Sequence, residues 1–276
     1  MSRPLIVCAL VTAALAAWPG SSSAASTHSL HATRTVGNTS VSSNWAGYAV
    51  TGTEADGTTM QFTSAVARWI EPRARCSRGD VTFSSFWVGL GGDLETSQAL
   101  EQIGTSADCS ASGRARYSMW YELVPAPPRP LKLKILPGNL ISASVSVAGT
   151  TVTLQIRNLT RRTISTHRVE VAAPDLSSAE WITEAPSACN SFGRCHTLPL
   201  TNFGHVAFTR VSTTTALGHT GTLTDAAWQT EALELIEEGS ALVTATSGAV
   251  PGDPSPDGTS FGVDWAASVT PPGVKP

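Results

Sequence analysis

The chain has 276 residues, only 14% of them charged, and a formal net charge of −3. So weak a charge offers no electrostatic footing for nucleic acid or for an anionic membrane, and neither is expected as a partner. Few carboxylates also means few paired carboxylates to lose on protonation, which is compatible with work in acid without establishing it.

Taken in chain order, Arg3, the nearly unbroken apolar run Leu5 to Trp18 and the small residues Ser21 to Ala25 read as a secretory signal peptide over residues 1–25. The apolar run is shorter than the roughly 20 residues that cross a bilayer, and no later stretch approaches that length. The mature chain is therefore expected to be secreted and off the membrane once the signal is removed. Residues 26–40, polar and holding His28, His31 and Arg34, read as a short pro-segment or flexible leader. A single domain is expected over residues 41–270, with a tail at 271–276.

From Val41 onward, Val, Thr, Ile, Ser and aromatic residues alternate in short runs separated by Gly, Pro, Asn and Asp. The runs predict strands over Asn44–Val50, Thr59–Ile70, Thr82–Leu90, Leu100–Thr105, Arg116–Val124, Leu140–Val147, Thr151–Asn158 and Arg162–Val171, then over Ala179–Thr183, His205–Val211, Ala241–Thr246 and Phe261–Trp265. Pro125–Pro130 and Pro251–Gly258 read as loops. One segment resists: Asp225–Glu238 is rich in Ala, Leu and Glu and is helical on propensity alone. The whole predicts an all-β fold, a two-sheet antiparallel β-sandwich of jelly-roll or concanavalin-like type with one concave face.

Cys8 leaves with the signal, so Cys76, Cys109, Cys189 and Cys195 remain in an oxidising compartment and read as two disulfides. Three connectivities are possible; the short loop between Cys189 and Cys195 favours pairing these two, and Cys76 with Cys109. A zinc site is the weaker reading, since no Cys-x-x-Cys pair occurs and His196 is the only suitable neighbour. No metal or cofactor is expected.

Among catalytic patterns, a zinc-binding His-Glu-x-x-His, a Walker loop and a dinucleotide fingerprint are all absent. A Gly-x-Ser-x-Gly string occurs at Gly258–Gly262, but Val263, Asp264 and Trp265 then read as strand where a nucleophile elbow needs a helix. His167 and His205 sit in strand patterns and read as structural. What remains is a set of carboxylates and amides close to tryptophans, on separate strands that a sandwich can bring to one face. They are Asn44 to Tyr48, Phe86 to Gly92, Glu101 to Gly104, Tyr117 to Glu122 and Ala179 to Ile182. Any single tryptophan here is more economically read as core.

The ordered set resembles the glutamic peptidases, or eqolisins, in five segments: Ser43–Gly47, Trp87–Gly92, Gln102–Gly104, Trp120–Glu122 and Ala179–Ile182. The resemblance runs from about Val41 to about Val269. It implies a metal-independent endopeptidase acting in acid on polypeptides, with Gln102 and Glu180 as catalytic dyad and Trp45, Trp87, Trp120 and Glu122 around the substrate. It also turns Leu233–Glu237 from helix to strand. Fungal members usually carry an acid where this chain has Gly91 and another where it has Ser118, so the pH optimum and subsites are not carried over.

The dyad makes physical sense. A carboxylate can take a proton from water and return it to the departing amine, while a neutral amide donor can hold the developing oxyanion even in acid. An unperturbed Glu, with a pKa near 4.3, would be partly ionised around pH 4. Strand alternation puts Gln102 on one face with Leu100, Glu180 on one face with Ile182, and Trp181 on the other. The dyad is expected to meet on a concave, solvent-open face beside Trp87 and Trp120.

Two other readings stay open. A glycoside hydrolase would set Glu122 or Glu101 about 5 to 10 Å from Glu180. A carbohydrate-binding domain would use the tryptophans as a stacking platform. Nothing in the sequence calls for more than a monomer.

Overall fold

The computed structural model of the chain describes residues 39–94, 97–189, 195–236 and 246–269. The expected signal peptide, the leader up to residue 38 and the tail lie outside them, as does all but the last residue of the expected strand Ala241–Thr246.

Alternating β-branched and aromatic residues build strands throughout, and the described residues hold no helix. The first nine are β1 (Thr39–Ser42), β2 (Trp45–Thr51), β3 (Phe62–Ile70), β4 (Ser85–Leu90), β5 (Leu100–Cys109), β6 (Ala115–Val124), β7 (Arg129–Leu131), β8 (Leu140–Ala148) and β9 (Thr151–Asn158). There follow β10 (Thr163–Glu170), β11 (Ser178–Glu184), β12 (Ser187–Cys189), β13 (Cys195–Thr197), β14 (His205–Thr215), β15 (Thr220–Gly221), β16 (Gln229–Ile236), β17 (Thr246–Pro251) and β18 (Ser260–Val269).

One hydrogen-bonded path runs β10-β9-β8-β3-β14-β18-β17-β16-β2-β11-β4-β5-β6-β7. It folds back on itself, so that β3, β8 and β9 lie across β4, β5 and β11 without pairing to them. The result is the expected sandwich: one layer runs from β10 to β18, the other from β16 to β7, and β17 joins them. The ladders are antiparallel except for β1, which runs parallel to β16.

Between the layers lies a core of Phe62, Trp69, Phe86, Trp181 and Phe208, each at most 1% exposed. Trp181 turns into this core and donates its indole N–H to the Val66 carbonyl at 2.8 Å. Its neighbours Glu180 and Ile182 consequently point out of the opposite face of β11.

Asp225–Glu238, helical on propensity alone, contains strand β16, in line with the strand that the resemblance implied from Leu233, because its backbone is claimed by β2 on one ladder and by β1 and β17 on others. Such pairing outweighs a helix preference of a few tenths of a kcal/mol per residue. Thr39 and Ser40, the last residues of the expected leader, belong to β1: Ser40 is fully buried, pairs with Leu233 and donates to the Glu231 carboxylate. The loop Pro125–Pro130 yields an edge strand, β7, where Pro130 is tolerated because an edge leaves one side of the backbone unpaired. Ser260 opens strand β18, which removes the context a nucleophile elbow needs.

Both favoured disulfides are present, Cys76–Cys109 and Cys189–Cys195. The first closes a loop with a sequence separation of 33. Removing it as Cys76→Ala/Cys109→Ala is expected to cost about 3 to 4 kcal/mol in denaturant unfolding on the chain-entropy account. A loss below about 1 kcal/mol would show that this end of the sheet is restrained by packing instead.

Candidate active site

The register across β6, β5, β4 and β11 brings distant residues into rows. Glu122 pairs with Gln102, Gln102 with Gly89, and Gly89 with Glu180. The same row continues through Ala49 to Glu231 on β16. Directly paired residues point to the same face. Gln102 and Glu180 therefore face the same way from strands two places apart, roughly 10 Å between backbones. Gly89 lies between them and adds no side chain of its own there, although side-chain carbons of Trp87 and Leu100 lean over its Cα.

Along each strand, two residues further, a second row reads Trp120, Gly104, Trp87, Ile182, Gly47 and Leu233. Large rings alternate with glycines for a steric reason. A Cβ on Gly104 would stand 2.4 Å from the Phe86 carbonyl oxygen and 2.6 Å from Trp87 Cβ. Trp45 packs edge-on against Trp87, with ring centroids 5.0 Å apart and planes at 77°. A third row holds Ser118, Ser106, Ser85 and Glu184. Here Trp87 Nε1 donates to Glu184 at 2.8 Å and Trp120 Nε1 donates to Ser106 Oγ at 2.9 Å. Beside this row opens a cavity of about 480 Å³ bounded by Trp120, Glu122, Glu184, Pro128, Pro130 and Pro186.

The six residues singled out in the sequence thus share one face, with one correction. That face is not solvent-open at the dyad: Glu180 is 0% and Gln102 1% exposed. The cause is a second apolar cluster of Trp45, Trp87, Leu100, Trp120, Val124, Ile182 and Leu233, which walls the dyad row on both sides. Glu122 is likewise buried, and it accepts a 2.7 Å hydrogen bond from Gln102 Nε2. That bond fixes the direction of the Gln102 amide, and Glu122 also borders the cavity beside the third row.

Burial changes the chemistry. Neither oxygen of Glu180, nor Gln102 Oε1, has a hydrogen-bond partner among the described residues. Burial pushes the Glu180 carboxyl well above the usual carboxylate range, and the charges of Asp93, Asp175 and Glu101 push the same way. The Ser178 hydroxyl, on the same face, pulls modestly downward without a hydrogen bond of ordinary geometry. The expectation of an unperturbed Glu180, partly ionised around pH 4, is therefore corrected: burial raises its proton affinity above that of a free Glu. Its neighbours behave alike. Burial raises Glu184 to about 7, burial with the Glu231 charge raises Asp93 to about 7, and burial with the Asp175 charge raises Glu101 to about 8.

The sequence reading missed Glu184, although it follows Glu180 by four residues and so shares its face. It also missed Asp93 and Asp175, which lie in loops and carry no periodic signal. Glu101 points away from the dyad, pairing with Leu90 and Leu123 on the core side. Glu122 stands beyond Gln102 in the row, so an amide, not a second carboxylate, faces Glu180 across Gly89.

A buried carboxyl of raised proton affinity and an oriented amide that face the same way on either side of a glycine are equipped for proton transfer to one side of a carbonyl and hydrogen-bond donation to the other. A side chain at Gly89 should disturb this. A Cβ on Gly89 would come within 2.9 Å of both Trp87 and Leu100 side-chain carbons. Gly89→Ala is expected to lower kcat/KM on a peptide by about 10²-fold while the chain still folds, as circular dichroism can verify.

Known proteins share the sequence pattern and the fold of this domain. The pattern of the peptidase A4 family matches residues 43–253. The fold is similar to that of scytalido-glutamic peptidase bound to a transition state analog inhibitor, at 25% identity and a TM-score of 0.62, covering 81% of this chain and 98% of that one. It is similar to SCP-B, an eqolisin solved with the tripeptide Ala-Ile-His, at 23% identity and TM-score 0.61, over 81% and 98% of the two chains. Aspergilloglutamic peptidase from Aspergillus niger gives 26% identity and TM-score 0.51, over 67% of this chain and 99% of the other. No curated protein matches. With the family pattern spanning most of the domain and the fold agreeing, the chain belongs to the peptidase A4 family, the glutamic peptidases, and is a glutamic endopeptidase.

Proposed function

We propose that the chain is a secreted, monomeric endopeptidase of acid to weakly acid conditions in which Glu180 exchanges protons with water and the leaving amine while Gln102 donates to the oxyanion. The observation that carries this is the single row in which Glu180 and Gln102 face the same way on either side of Gly89, buried and with oxygens unpartnered among the described residues. A substrate carbonyl and a water supply the partners these atoms lack.

Ionised Glu180 takes a proton from water as the water attacks the carbonyl carbon; the amide N–H of Gln102 that does not bond Glu122 donates to the oxygen as charge builds on it. Protonated Glu180 then gives its proton to the amine nitrogen as the C–N bond breaks. Glu122 fixes the amide's direction, and Trp45, Trp87 and Trp120 keep the site dry, which strengthens each hydrogen bond made there. Because only ionised Glu180 can activate water, kcat/KM should rise with pH to a midpoint above that of a free Glu. The cavity bounded by Trp120 and Glu184 is where a substrate side chain would lodge.

The test is to assay the purified protein on a denatured protein substrate from about pH 2 to about pH 8, alongside Gln102→Ala. Cleavage should resist chelators and serine or cysteine reagents, and Gln102→Ala should lose about 10²- to 10³-fold in kcat. Full activity in Gln102→Ala, or an acid limb centred below pH 4, would defeat this assignment of roles.

A further inference from the structure

Gly91 has a positive φ of 79°, and a Cβ built there would lie 2.5 Å from Cβ and 2.8 Å from Cγ of Asp175. The side chain that position 91 lacks is thus replaced in space by the carboxylate arm of Asp175, arriving from the segment before β11. Asp175 is held firmly. Its Oδ1 accepts the Ser177 N–H at 2.9 Å, and its Oδ2 accepts the Ser97 hydroxyl. Ser97 Oγ in turn accepts the Gly92 N–H at 3.0 Å. These contacts tie the turn that leaves β4, two residues past Gly89, to the segment that enters β11, five residues before Glu180.

We propose that Asp175 is a positioning residue for the dyad, clamping the β4 and β11 ends together through Ser97. This rests on the catalytic role proposed for Glu180. The charge of Asp175 acts on Glu180 together with those of Asp93, from the turn after β4, and of Glu101, whose side chain stands on the core side of β5, with Glu231 of β16 acting on Asp93. All are acids. Asp175 is the one tied by hydrogen bonds to both flanking segments.

The experiment is the pH profile of kcat/KM for Asp175→Asn, Ser97→Ala and Gly91→Asp/Asp175→Gly on one peptide, with melting temperatures. Asp175→Asn keeps the shape and removes the charge, so the acid limb should move down by about one pH unit. Ser97→Ala, which frees the carboxylate, should give a smaller shift of the same sign. Gly91→Asp/Asp175→Gly returns a carboxylate to the same space from the other strand, at a position whose φ Asp tolerates better than most residues, and should bring the limb back toward wild type. An unmoved limb in a folded Asp175→Asn variant overturns the proposal, as does a fall in melting temperature with the profile unchanged. If Glu180→Gln turns over normally, the catalytic reading itself is what fails; if that variant is dead and Asp175→Asn leaves the profile in place, only the role of Asp175 is lost.

Discussion

Glu180→Gln is expected to lower kcat by about 10³- to 10⁴-fold, because one group serves as base and then as acid and its replacement can do neither. The variant should fold at least as well as the parent. Glu180 is fully buried without a hydrogen-bonding partner among the described residues, and burial raises its proton affinity. A neutral amide of the same shape removes the cost of ionising it, so the melting temperature at pH 7 should stay level or rise. A dead enzyme with intact or improved stability separates chemistry from folding, which a simple loss of activity would not.

The second large effect concerns pH. Burial raises Glu71 to about 8, with the Asp108 charge adding to it, and burial raises Asp108 to about 6. Glu101 at about 8, Glu184 and Asp93 at about 7, and Glu180 are raised likewise. A carboxyl with a raised folded-state pKa binds its proton more tightly folded than unfolded. Its contribution is therefore complete below about pH 4.5, declines as pH rises through the interval to the folded value, and is gone above it. Stability should peak in acid and fall between about pH 4.5 and pH 8, the reverse of a protein held by ionised salt bridges.

Glu71 isolates the effect, since it is 1% exposed and neither oxygen has a hydrogen-bond partner among the described residues. Glu71→Gln should leave unfolding at pH 4 nearly unchanged and stabilise the chain at pH 8 by on the order of 2 to 4 kcal/mol. Equal stability of parent and variant at both pH values would mean that Glu71 reaches water when it ionises. This loss sets an upper bound on the working range, while ionisation of Glu180 sets the lower one.

The sandwich was legible because its strands alternate strictly, as in Leu140–Ala148 and Thr151–Asn158, and turns punctuate them. β16 was not legible from propensity, since its Ala-Leu-Glu composition says helix and only cross-strand pairing makes it strand. The dyad was legible as two motif residues, and their shared face followed from period-two alternation. Their relation across Gly89 required the register of three strands, which no local pattern encodes. Burial was the larger surprise. It depends on Leu100, Val124 and Leu233 closing round the row, and it raises the proton affinity of Glu180 above that of a free Glu. Asp175 had no signal at all, because its role comes from filling the space beside a glycine on another strand.

A double-mutant cycle on kcat/KM tests the central claim most directly, using the parent, Gln102→Ala, Glu180→Gln and the pair together. If the amide and the carboxyl act on one carbonyl in one transition state, the losses will be strongly non-additive, the double variant falling no more than about tenfold below Glu180→Gln alone. Losses that simply multiply, or a Glu180→Gln variant that retains turnover, would contradict it.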